Sequence, residues 1–233
     1  MTTVKPTLAA SLQHSAAYSA DDVLWDWTNF DAFSKPGRLL GCTALVRGTD
    51  GVRQEFAFDM YFSKSSSFSI GNSNSAVSMQ PNNDLLAAAN MAVTHYMDGL
   101  NTMEVANMTT SNRVSVITPP INEIKAGNTT PILYIAGVAQ GAFDFRTTCR
   151  INNGSNYAAD SSSTIIIDGS SGIINFAPGD VLHAHDDAVI GTVKTVTANL
   201  ITLTGNNTAA LLDDDYVYNI HPITLHLAWN FTR

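Results

Sequence analysis

The sequence predicts an all-β protein: a jelly-roll-like β-sandwich body with one short helix, and a small barrel-like β module inserted into it. Three observations carry this expectation. Charged residues make up only 14% of the chain, against roughly 25% in typical soluble domains. Ser, Thr and Asn take their place, and such uncharged polarity suits turn-rich sheets better than surface helices. Apolar and polar residues alternate with a period of two, most cleanly where Ile223, Leu225, Leu227, Trp229 and Phe231 interleave with Thr224, His226, Ala228 and Asn230. Short apolar runs also recur at close spacing between Gly, Asp and Asn turns from residue 164 to residue 220.

Taken in order, residues 1–22 hold Pro6 and small residues without a periodic pattern. They are predicted to form an extended arm that orders against a neighbouring subunit. Val23, Leu24, Trp25, Asp26 and Trp27 read as a short strand whose tryptophans close one end of the core. Residues 38–47 and 52–62 read as two strands joined through Gly48, Thr49, Asp50 and Gly51 into an antiparallel hairpin, because Asp and Gly accept the positive φ of such turns. In the second strand Phe56, Phe58, Met60 and Phe62 share one face.

From residue 63 to residue 110 the texture changes to Ser- and Asn-rich loop chemistry. Asn82, Asn83 and Asp84 are expected to cap a helix whose apolar stripe is Leu85, Leu86, Ala89, Val93 and Met97, stopped by Asp98 and Gly99. Strands are expected at 113–117, 132–138 and 142–146. Residues 148–222 form the predicted inserted module, with short strands at 164–167, 173–176, 181–183, 189–196, 200–204 and 216–220. The last strand, 223–231, is expected to return to the body formed by 23–147, because closing a long insertion costs only slowly more with length.

Signals for chemistry are sparse. Twelve Lys and Arg against twenty Asp and Glu leave a net charge of −8, which repels a phosphate backbone overall, so no direct nucleic-acid binding is expected. No apolar run reaches the ~18 residues of a membrane span, and the first residues lack the apolar block of an export signal. Cys42 and Cys149 stand alone in strand-like runs and read as small buried hydrophobes. His183 and His185 with Asp186 have metal-ligand residue types, but they sit where a strand meets a turn and lack a further His or Cys at a ligand spacing. Asp213, Asp214 and Asp215 lack the alternating spacing of a calcium loop. No metal site and no cofactor are expected, and Asp144 is expected to pair with Arg146 or with a neighbouring chain rather than to act as a general acid. Nucleophile elbows, thiol-protease contexts and phosphate loops are absent from the sequence, so no catalytic residue is named and no enzyme is expected.

Phe176, Ala177, Pro178, Gly179, Asp180, Val181 and Leu182 begin a pattern that continues through Ile190, Gly191, Thr192 and Val193. Ile201, Thr202, Leu203 and Thr204 follow, and then Asp215, Tyr216, Val217, Tyr218, Asn219 and Ile220. This pattern resembles a module of tailed-phage virion proteins. Trp25, Asp26 and Trp27, with Gly37, Arg38, Leu39 and Leu40 and with Arg47, Gly48, Thr49, Asp50 and Gly51, resembles the opening of phage capsid decoration (cement) proteins. The resemblance touches about half of the chain. It implies a noncatalytic virion structural protein that binds the outer surface of the major capsid protein lattice, stabilises the DNA-filled head and assembles in the host cytoplasm. A tail-fibre or adhesin component that binds host surface glycans is the alternative.

The negative charge suits an outward position, away from packaged DNA. The expected partner surface is aromatic, made of Tyr18, Trp25, Trp27 and Phe30. Positions where three capsid subunits meet favour a homotrimer, since a three-fold partner repeats one patch against equivalent surfaces. The apolar stripe of the expected helix is a second candidate for that contact.

Overall fold

The computed structural model describes residues 1–31, 37–48, 57–79, 85–97, 103–107, 132–152, 154, 156–168 and 172–231. It is an all-β molecule in which strands dominate. The body is built from β1 (Thr2–Val4), β2 (Val23–Asp31), β3 (Gly37–Val46), β4 (Ala57–Ser63), β5 (Leu85–Met97), β6 (Met103–Asn107), β7 (Ile132–Ala139) and β13 (Ile223–Phe231). These hydrogen-bond in the order β1-β13-β3-β6-β5-β4-β7-β2, with every pairing antiparallel.

One continuous ribbon becomes a sandwich because β5 serves both layers. Its first part pairs with β4 and its second part with β6, with an irregularity between Val93 and His95. A strand that passes from one layer to the other is how sheets turn a corner. The ribbon folds over so that its edge strands β1 and β2 touch. Phe30 of β2 stacks on Trp229 of β13 with ring centroids 6.3 Å apart. Between the layers lie Phe58, Met60 and Phe62 of β4, Ile223, Leu225 and Leu227 of β13, and Trp25, Phe143 and Phe145. Each such side chain, taken fully out of water, contributes roughly 1.5–3 kcal/mol. Ala57, Asp59 and Tyr61 alternate with the buried face of β4 and remain half-exposed, as the period of two requires.

The second sheet comprises β8 (Thr164–Ile166), β9 (Val181–Ala184), β10 (Val189–Val196), β11 (Leu200–Leu203) and β12 (Val217–Asn219), in the order β12-β9-β10-β11-β8. Its core is drawn wholly from residues 149–217. The named strands do not close into a barrel. Instead Arg150 bridges to Tyr216 and Ile151 to Ile167, so one short segment links the sheet's two edges. Cys149 is fully buried here and Cys42 is buried in the body.

Several expectations are corrected. Residues 85–97 are strand β5, not a helix, because the open edge of the aromatic strand β4 recruits them; the alanines gave a helical signal that tertiary pairing overrides. Among the described residues the two strands expected to form a hairpin do not pair with each other: β3 lies between β13 and β6, while β4 lies between β5 and β7. Residues 173–176 do not form a strand, and α2 (Gly172–Asn175) is a single helical turn. In place of the expected strand at 142–146, Phe143 forms an isolated bridge with Tyr18. The expected strand at 113–117, the turn residues Thr49, Asp50 and Gly51, and the expected cap at Asn82, Asn83 and Asp84 lie outside the described residues.

The largest correction concerns residues 1–22. They are not an arm waiting for a neighbour, because β1 pairs with β13 and is followed by α1 (Ala10–Ser15). Val4, Leu8 and Ala10 are buried within the chain itself.

Candidate functional site

The four aromatic residues expected to meet a partner divide sharply. Tyr18, Trp25 and Phe30 belong to the sandwich core. Trp25 packs edge-on to Phe58 with centroids 5.4 Å apart, and Tyr18 packs edge-on to Phe145 at 6.0 Å. Burial pushes the Tyr18 phenol up, with the Asp22 carboxylate adding to the shift. Three of the four are thus structural. The sequence spacing misled because β2 shifts register around Trp25, where the ring lies against Gly137. Trp27 is different: it is half-buried on the outer face beside Phe68, and its indole N–H donates to the Phe68 carbonyl at 2.7 Å.

The densest polar arrangement lies where the N-terminal segment runs from the body onto the second sheet. Leu8 N–H donates to Ile220 O at 2.8 Å. His221 Nδ1 meets Pro6 O at 3.0 Å. Helix α1 then lies against β9 and β12. Its first turn is capped from across the interface, since the backbone N–H and the Oγ–H of Ser11 both donate to the Asp187 carboxylate. A side-chain oxygen there satisfies donors that the helix leaves open. Buried Gln13 donates from Nε2 to Leu8 O at 2.7 Å and to Asn219 O at 3.0 Å. At the other end, Asn74 from the body donates to Leu12 O and Ala16 O, both at 3.3 Å. The helix is a strap fastened at both ends.

His14 sits at the centre of the strap. Its Nδ1 is 2.9 Å from Tyr218 Oη. Its ring centroid is 5.2 Å from that of His185 and 5.0 Å from that of Tyr216. Burial, and then the neighbouring His185, hold the His14 imidazole below its ordinary value. For Asp187, burial raises the carboxyl, but the donors of Ser11 and Ala10 together with His183 outweigh it, and the net shift is downward.

A second polar knot lies beside the strap. Asp180 Oδ2 accepts from Arg47 Nη1 at 2.9 Å, Asn219 Nδ2 at 2.9 Å and Ala177 N–H at 2.8 Å. Arg47 follows β3 and Asp180 precedes β9, so this pair ties the body to the second sheet. Burial nevertheless leaves the Asp180 carboxyl above its usual range despite Arg47.

His183 and His185 fall where a strand meets a turn, as the sequence led one to expect. His183 is on β9 with Nδ1 2.8 Å from Asp187 O, whereas His185 has left the strand and turns to His14. Asp186 Oδ1 accepts from Ala188 N–H within the turn. Among the described residues no group of three or more His, Cys, Asp or Glu is placed to hold a metal ion. Asp215 accepts from the N–H of Leu212, three residues before it, within its turn. Asp144 grips Arg146 through both carboxylate oxygens, the pairing expected from the sequence.

No family model, no curated protein and no solved structure matches this chain.

Proposed function

We propose that the protein is a noncatalytic phage virion component, a capsid decoration protein that binds the outer surface of the major capsid protein lattice as a homotrimer. The observation that carries this reading is where the family-like residues fall. The turn at Gly179 and Asp180 leads into β9, while Ile190 to Val193 lie on β10, Ile201 to Leu203 on β11 and Val217 to Asn219 on β12. Motifs dispersed over some forty residues therefore assemble on neighbouring strands of one sheet, as a single module requires. The uncharged polar composition and the net charge of −8 favour the outer surface of a DNA-filled shell over its interior.

Of the four expected aromatic residues, Trp27 is the one left for a partner, because Tyr18, Trp25 and Phe30 are spent in the core. A reconstruction of the virion tests the reading. Density on the outer lattice that accommodates the sandwich in groups of three supports it. Copies on the lattice without mutual contact end the trimer and leave decoration standing, and density confined to the tail contradicts decoration.

A further inference from the structure

Helix α1 is held by groups that respond differently to acid. His14 faces Tyr218 of β12, Tyr216 just before it and His185 of the turn after β9. His185 Nδ1 is buried and has no hydrogen-bond partner. Around them, His183 of β9 contacts Asp187 O, Arg150 stands over the Tyr216 ring at 4.8 Å, and Arg146 lies near enough to Tyr218 to be felt electrostatically. Arg150 faces Asp214 at 3.9 Å, and Arg146 is paired with Asp144. The body contributes uncharged Asn74. The carboxylate at α1 itself is Asp187, whose oxygens already accept from Ser11.

We propose that the facing pair His14 and His185 makes the N-terminal strap an acid-released latch. Two neutral imidazoles pack at 5.2 Å without penalty. Positive charge on both rings sets like charges face to face at that distance in a partly desolvated site. Detaching α1 relieves the repulsion and hydrates both rings. Because β1 is held separately by β13 and Leu8 by the body core, release frees residues 10–15 while the body sheet stays paired.

The sign follows from the depressed imidazole. The strap's full stability is present above the ordinary histidine value of 6.5 and is lost as pH falls from there through the lower folded value. The Asp187 contribution is lost only below its ordinary 3.8, so it does not confuse the first step.

Hydrogen exchange of the full chain, read by mass spectrometry and corrected for intrinsic rates, tests the latch. Between about pH 7.5 and about pH 4.5, protection of the α1 amides should fall by roughly tenfold or more while β13 amides stay protected. In His14→Gln and in His185→Gln that pH dependence should flatten, whatever the level of protection. Should the first variant fail to fold, the second, which alters a turn outside the strands, gives the same readout. Unchanged protection in acid, an undiminished acid response in the variants, or loss of α1 and β13 protection together would each overturn the latch.

Discussion

Gly137 shows how a single residue can decide a packing arrangement. A Cβ added there would lie 2.3 Å from Cη2 of Trp25, and Trp25 is fully buried, so neither the ring nor the strand can yield cheaply. Gly137→Ala is expected to destabilise by about 1–3 kcal/mol, the usual range for overpacking, as read by urea unfolding. The Asp180 knot gives a second residue-scale prediction. An ionised carboxylate that burial has raised gains little from ionisation, so Asp180→Asn should be tolerated better than Arg47→Met, which leaves that charge without its cation. The same unfolding experiment ranks the two variants, and the reverse order would refute the assignment. Burial also pushes the Cys42 thiol up to about 12. The folded protein should therefore resist alkylation at Cys42 near neutral pH and react only after denaturation.

At the scale of elements, the strap is the decisive piece. Residues 1–15 contribute a strand to one sheet, a helix against the other, and the buried Val4, Leu8, Ala10 and Gln13. Deleting them should lower the melting temperature of the whole chain and loosen the second sheet, rather than merely weaken attachment to a partner. A truncated chain as stable as the full one would contradict this. Sequence alternation revealed β4 and β13 well, because their neighbours on both sides allow the period of two to express itself. It concealed β5 because Leu85 to Ala89 prefer a helix in isolation, although Val93, Thr94, His95 and Tyr96 carry a strand signal further along. It concealed α1 because that helix has six residues and takes its cap from Asp187, distant in sequence. The site was less legible than the fold for the same reason. His14 and His185 meet only after the chain has crossed from one sheet to the other.

For the whole molecule, two sheets with separate cores are joined by continuous chain at both ends of the inserted module, by Arg47 with Asp180 and by the strap. Such ties favour a body that moves as a unit at neutral pH, which suits the proposed role of holding a shell together. The apolar stripe once expected on a helix at 85–97 is unavailable as a helical trimer contact, since those residues are β5. A trimer would then form through other surfaces, and its mass in solution or on the particle remains the check on it. The most direct measurement of the central proposal is the copy number of this chain in purified virions by quantitative mass spectrometry. Decoration of a lattice predicts hundreds of copies in fixed proportion to the major capsid protein, whereas a handful per particle, or absence from the particle, would contradict it.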